Sequence, residues 1–153
     1  MKTKVFKISN EIIDVLLSFK KLKPYKGSHA IKHDKFKSML NTLSSYYNVP
    51  EPFLYVTDRS LPRTSLDVKL KKDKGIYFSG TMLIALRKFS VISALHEFRH
   101  HLQYEKKNIV LVSTDCEDDA NEWSHFIYRT VWSSNYKKLK EKNELNKTSV
   151  KVI

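Results

Sequence analysis

The chain has 153 residues, a formal net charge of +12, a hydrophobic content of 41% and a single cysteine. That length and apolar content suffice for one domain with a buried core, and no apolar run is long enough to span a bilayer. Because Cys116 has no partner in the chain and the N-terminus lacks the apolar region of a signal peptide, we expect a reduced, cytoplasmic (intracellular) protein without a membrane partner.

The first third of the sequence predicts two helices and a short strand. Apolar residues recur at helical spacing over about 9–21 and again over about 31–46, and Pro50 follows the second of these segments. Residues 53–56 form a short candidate strand. The residues expected to face the core from the two helices are Ile12, Ile13, Leu16, Leu17, Phe19, Ile31, Phe36, Met39, Leu40 and Leu43.

The middle of the chain predicts an antiparallel meander of three strands. Apolar and charged residues alternate over 66–70, which is the spacing of a half-buried strand. Turn residues at 73–75 separate this strand from a second at 76–78, and a Ser-Gly turn leads into a third at 81–86. The strand at 53–56 could add a fourth.

The last part of the chain predicts two more helices, at about 90–104 and 115–140. The apolar segment 108–112 between them is expected to be a short strand or a buried loop. Residues 141–153 are polar and rich in lysine and predict a frayed tail, so the domain is expected to cover 1–140. The apolar faces of the two helices are Val91, Leu95, Phe98 and Leu102 in the first, and Trp123, Phe126, Ile127, Thr130 and Val131 in the second.

The helix predicted at 90–104 carries the pattern HExxH, formed by His96, Glu97 and His100. On a helix the two histidines lie one turn apart on the same face, where both rings can bind one zinc ion. Glu97 is turned about 100° from His96, so its carboxylate can take a proton from water at the open position of the metal. The alternative is a solvated face rich in His and Arg, but the flanking apolar residues favour a packed helix.

A catalytic zinc site usually has three protein ligands, and an acidic cluster at the start of the last predicted helix offers the third. We favour Glu117, with Asp118 and Asp119 as alternative metal ligands. Glu117 would also complete the capping box Thr114-x-x-Glu117, which requires no metal. Cys116 could bind zinc as a thiolate, although a buried structural thiol is more typical.

Asn121 lies one turn beyond Glu117 on the same predicted helix face. From there its amide could hydrogen-bond a ligand histidine and fix which ring nitrogen meets the metal; the alternative is an ordinary polar surface residue. The hydrogen-bond donor that hydrolysis requires for an oxyanion stays open among Tyr77, Tyr104 and His125.

The other histidines are not expected to bind the metal. We expect His101 to face solvent or contact a zinc ligand, since it lies on a different helix face from His96 and His100. His125 is expected to be a partly buried structural residue. His29 and His33 are one helical turn apart without a nearby acid, which favours a surface position.

Two segments resemble the motifs of a known group of enzymes: LHEFRH at 95–100 and EDDANEWS at 117–124. They resemble the zincin metallopeptidases whose third zinc ligand is glutamate (the gluzincin-like type). Within these they are most similar to small ImmA/IrrE-type domains, whose second motif has the form E-x-x-A-N-x-aromatic-small. The resemblance covers about 66–130, and Arg99 stands where family members often carry Gly or Ser.

The resemblance implies a minimal zincin-like α+β fold, in which a small antiparallel or mixed sheet packs on the HExxH helix and on a following ligand-bearing helix. It also implies one Zn²⁺ ion held by His96, His100 and Glu117, with Glu97 as the general base. A peptide or protein substrate would pair with the strand at 81–86 or its neighbour.

The expected function is therefore zinc-dependent hydrolysis of peptide bonds. The alternative is a basic module that binds nucleic acid or protein and has a structural or vestigial zinc site. The net charge of +12 favours an acidic or nucleic-acid-bound partner in either case. The basic residues Arg59, Arg63 and Lys69 to Lys74 are more typical of a solvated face than of a dedicated binding site.

Overall fold

A computed structural model describes residues 10–17, 19, 28–57, 75–106, 109, 111 and 115–132. These residues form an α+β fold with four α-helices and a three-stranded sheet, as the sequence predicts. The elements are α1 (Asn10–Leu17), α2 (His29–Tyr47), β1 (Phe53–Val56), β2 (Gly75–Phe78), a 3₁₀ helix (Ser79–Thr81), β3 (Leu83–Leu86), α3 (Val91–Glu105) and α4 (Cys116–Val131).

Several predicted segments lie outside the described residues: the strand at 66–70, the basic residues Arg59, Arg63 and 69–74, the end of the last helix at 133–140 and the tail at 141–153. Ile109 and Leu111, the described part of the segment 108–112, belong to neither a helix nor a strand.

Serine side chains begin two of the helices. The hydroxyl oxygens of Ser28 and Ser90 each accept a hydrogen bond from the backbone N–H three residues later, at 3.3 and 3.4 Å. Because Ser28 caps α2, that helix begins two residues before its predicted start. It ends at Asn48, whose left-handed backbone (φ 54°, ψ 52°) is typical of a helix C-terminus.

The sheet has the strand order β1-β3-β2, with β3 in the middle. β2 and β3 form the predicted antiparallel hairpin, whereas β1 pairs with β3 in parallel, Phe53 lying opposite Leu83. The segment 53–56 is therefore a strand of the sheet, but it pairs in parallel and does not extend an antiparallel meander. Of the two predicted alternatives, an antiparallel or a mixed sheet, the described strands form the mixed one. Because both edges of β3 are hydrogen-bonded to neighbouring strands, a peptide could add to one of those strands but not to β3 itself.

Helix α3 lies at the centre of the fold, where it packs on α4, on β2 and β3, and on α2. Its predicted apolar face is fully buried, and α4 buries Trp123, Ile127 and Val131 in the same core. Burying one large aliphatic or aromatic side chain contributes about 1.5–3 kcal/mol, so this shared core holds the two helices together. Among the helices that the structure describes, none combines the length and the hydropathy that crossing a bilayer requires.

Three of the predicted core residues are exposed: Leu17, Ile31 and Thr130. Leu17 follows the buried Leu16, and Thr130 precedes the buried Val131. One residue along a helix turns the side chain by about 100°, which is enough to move both side chains out of the core. The remaining predicted core residues of α1, α2 and α4 are buried or half-buried, Phe19 and Phe126 among the latter.

Candidate metal centre

Helices α3 and α4 bring three potential ligands together. His96 Nε2 lies 3.2 Å from His100 Nε2. Glu117 spans both rings, with Oε1 3.0 Å from His96 Nε2 and Oε2 3.1 Å from His100 Nε2. Each of the three residues offers a ligand atom within 4.8 Å of the other two, so the arrangement could hold a metal ion.

The donor set and its spacing fit zinc. In a tetrahedral site with bonds of about 2.0–2.2 Å, neighbouring ligand atoms lie roughly 3.3–3.6 Å apart. The observed separations of 3.0 to 3.2 Å are close to that range. Two imidazole nitrogens that face each other at such a distance must share either a proton or a cation, because two lone pairs repel.

The alternative ligands Asp118 and Asp119 do not belong to this group. The backbone N–H of Asp118 donates to Asp115, and its side chain is half-buried. Asp119 is fully buried and forms an ion pair with Arg99. Of the three acids considered as the third ligand, the structure therefore brings Glu117 to the histidines.

The start of α4 explains the position of Glu117. Asp115 is the N-cap, and its Oδ1 accepts the N–H of Asp118 at 2.8 Å. Glu117 is then the second helical residue rather than the third, so the predicted capping box with Thr114 is wrong. Cys116 is exposed, which also contradicts the expectation of a buried thiol.

Burial lowers the pKa of His96 below its usual value, while the carboxylate of Glu117 acts in the opposite direction. A lowered pKa favours the neutral ring, and only a neutral imidazole can bind a metal. A hydrogen bond to Asn121 also reaches His96. Asn121 is buried, so it is not the solvated surface residue that was the alternative interpretation.

Glu97 lies beside the three potential ligands and is almost fully buried. Its Oε2 is 3.9 Å from His96 Nε2, and its side chain is 8% exposed. A Cβ atom at Gly75 would lie only 3.2 Å from Glu97 Cγ and Oε2 and 3.0 Å from Leu86 Cδ2. Gly75, predicted as a turn residue, is the first residue of β2, and its missing side chain lets this strand approach the carboxylate.

His101 is fully buried, so the prediction of a solvent-facing residue is wrong. It lies one turn beyond Glu97 on the side of α3 that packs against the sheet. The carbonyl oxygen of Pro50 can only accept, so His101 Nε2 donates to it at 2.7 Å. In the neutral ring Nδ1 then accepts the hydroxyl hydrogen of Tyr77, also at 2.7 Å.

The hydrogen bond between Tyr77 and His101 bears on which residue could donate to an oxyanion, because it engages the hydroxyl of one of the three candidates. Burial raises the pKa of Tyr77 to about 12, and its hydroxyl is directed at His101 rather than at the ligand cluster. Tyr104 is 54% exposed. His125 is buried, more completely than the partly buried position predicted for it, and its structural role stays a prediction.

The structure also corrects the prediction for His29 and His33, which are half-buried rather than on the surface. Their Nε2 atoms donate to the backbone oxygens of Val56 and Leu54, at 3.1 and 2.9 Å. The N–H groups of the alternate residues Phe53 and Thr57 bond to the β3 side. The two histidines therefore bind carbonyl groups on the opposite, outer edge of β1.

A buried polar network next to the cluster was not predicted. Arg99 Nε and Nη2 donate to Asp119 Oδ2 and Oδ1 at 2.7 and 3.1 Å. Gln103 also donates to Asp119, and it contacts His100 Nδ1 at 2.8 Å. The signal in the sequence was Arg99 itself, a charged residue between the two histidines of a helix that packs in the core.

Comparison with models of known protein families, with curated proteins and with solved structures finds no significant match to this chain. The resemblance to ImmA/IrrE-type zincins therefore rests on the two short motifs alone, and membership of that family stays a prediction.

Proposed function

We propose that this protein is a zinc-dependent metallopeptidase. The observation that carries the proposal is the convergence of His96, His100 and Glu117 beside the buried carboxylate of Glu97. Two histidines and a glutamate are a familiar ligand set of catalytic zinc. A fourth residue, the acidic Glu97, lies close to these three, and such a carboxylate can act as the general base that a purely structural site does not need.

The proposed roles follow from the positions of the side chains. His96, His100 and Glu117 would hold the ion, which when bound polarises a peptide carbonyl and lowers the pKa of water to about 7. Glu97 accepts a proton from the attacking water and returns it to the leaving amine. Its burial against β2 limits the directions in which the carboxylate can turn.

The sheet suggests where a peptide would lie. Histidine side chains already bind two outward carbonyls of β1, and β3 is central in the described sheet. β2 approaches Glu97 through Gly75. We infer that a substrate adds to the edge of β2 that no described strand covers, by backbone hydrogen bonds, which brings its peptide bonds towards the cluster.

The test compares wild type with Glu97→Gln in zinc content and in cleavage of a proteome-derived peptide library. We expect about one zinc per chain in both proteins and a rate about 100- to 10,000-fold lower in Glu97→Gln, the usual contribution of a general base. Glu105→Gln, at the end of the same helix, is the control and should keep the full rate. An undiminished rate in Glu97→Gln would refute Glu97 as the base.

The net charge of +12 supports one rival, a basic module that binds nucleic acid or protein around a structural zinc ion. It predicts an affinity for DNA or RNA that falls steeply with salt and that Glu97→Gln leaves unchanged. Zinc-loaded wild type that cleaves nothing in the library but binds nucleic acid in this manner would favour the rival.

A further inference from the structure

We propose that Gln103 is a positioning residue that selects the ring nitrogen with which His100 faces the metal, and that the buried pair Arg99–Asp119 holds Gln103 in the required orientation. The inference rests on the metal site of the proposed function, but it concerns hydrogen bonds among residues of this chain.

The surroundings of Gln103 fix the orientation of its amide. Nε2 lies 2.9 Å from the backbone oxygen of Cys116 and 2.7 Å from Asp119 Oδ2. Both partners only accept, so they take the two N–H hydrogens of the amide. With the amide reversed, its oxygen would face two acceptors and lose both bonds.

The orientation of the amide determines the tautomer of His100. Gln103 Oε1 can only accept, and it lies 2.8 Å from His100 Nδ1. Nδ1 must therefore carry a hydrogen. In the neutral ring the lone pair is then on Nε2, where it can accept the N–H of His96 Nε2 at 3.2 Å or bind a cation. Glu117 Oε2, 3.1 Å from the same nitrogen, only accepts, so a bound cation is what would reconcile the two atoms.

The ion pair between Arg99 and Asp119 holds the Gln103 amide in place through a hydrogen bond to Asp119. The side chains of Arg99 and Asp119 are 5% and 0% exposed, and two hydrogen bonds join them. Asp119 Oδ2 accepts from both Arg99 Nε and Gln103 Nε2. Arg99 also lies 5.4 Å from the centre of the Trp123 ring, so the pair is packed between α3 and α4 and cannot exchange for water without disturbing the core.

Gln103 differs from a residue that only joins two helices, because its removal changes the proton position on His100 as well as stability. A histidine ring without a partner at Nδ1 exchanges between two tautomers, and only one of them offers Nε2 to a metal. Groups that fix the tautomer of a ligand typically change metal affinity by about 10- to 100-fold.

The experiment reads the tautomer directly from long-range ¹H–¹⁵N spectra of the histidine rings. Wild type is measured above the pH range in which imidazole titrates, without metal and with Zn²⁺ alone. We expect hydrogen on Nδ1 of His100 in both states and zinc at Nε2. In Gln103→Met, which keeps the length but loses the hydrogen bonds, we expect a mixture of tautomers and a zinc Kd about 10- to 100-fold higher, measured by competition with a chelating dye.

Val131→Ala serves as the matched control, since Val131 is buried at the far end of α4. It should lower the melting temperature without changing the His100 tautomer or the zinc Kd.

Hydrogen on Nε2 of wild-type His100, or zinc at Nδ1, overturns the proposal even if Gln103→Met does not fold. An unchanged Kd in folded Gln103→Met overturns it as well. Because no peptide is used, failure of the proposed peptidase activity would be seen separately from failure of this inference.

Discussion

Two pairs of histidines in this protein have the same spacing and different surroundings. His29 and His33 on α2 donate from Nε2 to backbone carbonyls of β1, at 3.1 and 2.9 Å. His96 and His100 on α3 direct Nε2 at each other, 3.2 Å apart, and at the carboxylate of Glu117. The first pair forms hydrogen bonds that stabilise the fold, while the second directs both Nε2 atoms at a common centre, where they can share a proton or bind a cation.

The difference shows that the i, i+4 spacing only places two rings on one helix face. What the neighbouring element offers decides their role. A strand edge offers carbonyl oxygens, which require the imidazole N–H and therefore use up Nε2 as a donor. A helix N-terminus that presents a carboxylate offers a negative acceptor, which together with two imidazole nitrogens could hold a metal ion.

The largest expected effect separates the two histidine pairs by zinc binding, which should be lost only when a residue of the His96–His100–Glu117 cluster is removed. His96→Ala, His100→Ala and Glu117→Ala should each weaken zinc binding by more than the roughly 10- to 100-fold typical of residues that only orient a ligand. His29→Ala should bind zinc as wild type does. Metal content and competition titration measure both quantities.

Asp118→Ala is the control for charge, because it removes an acid next to Glu117 without removing a member of the cluster. If Asp118→Ala lost zinc and Glu117→Ala kept it, the assignment of the third ligand would be wrong. Zinc loss in His29→Ala would break the distinction between the two histidine pairs.

An intermediate effect is expected for Asn121, whose hydrogen bond reaches His96. Asn121→Ala should lower zinc affinity or activity by about 10- to 100-fold while the fold stays intact. The exposed Thr130 lies on the same helix, and Thr130→Ala provides the control. Unchanged zinc affinity in Asn121→Ala would leave Asn121 with a packing role only.

The smallest expected effect is on stability, and it concerns His29 and His33. His29→Ala or His33→Ala should each reduce the free energy of unfolding by about 1 kcal/mol, the usual contribution of one hydrogen bond. The double variant also exposes the outer edge of β1, so we expect it to self-associate more readily. Urea denaturation of zinc-free protein and size-exclusion chromatography test this. Unfolding curves identical to wild type would show that the two bonds do not stabilise the fold.

The features predicted correctly from the sequence were those with local causes. Val91, Leu95, Phe98 and Leu102 recur at helical spacing and define α3 within one residue at each end. The turn after Phe78 produced the β2–β3 hairpin. The proximity of His96, His100 and Glu117 was also predicted, because HExxH places two histidines one turn apart and an acidic helix start follows soon after.

Several of the errors concerned contacts between segments that are distant in the sequence. The burial of His101 depends on Pro50, which is 51 residues away, and no local pattern encodes that distance. The parallel pairing of Phe53 with Leu83 depends on the path of the chain between them. The partner of Asp119 could have been suspected only from the charge of Arg99 in an otherwise apolar stretch of helix.

Gly75 has a consequence for which variants of this protein can survive selection. Its φ is not in the left-handed region that favours glycine, so any residue could adopt its backbone conformation. Space is the constraint, because a methyl group there would lie 3.0 Å from Leu86 Cδ2 and 3.2 Å from Glu97, and both side chains would have to shift by a few tenths of an ångström. In a mutational scan that selects for the proposed activity, position 75 would tolerate few substitutions and would resemble a catalytic position. Its intolerance would in fact come from the need to leave the neighbouring side chains of Leu86 and Glu97 where they are.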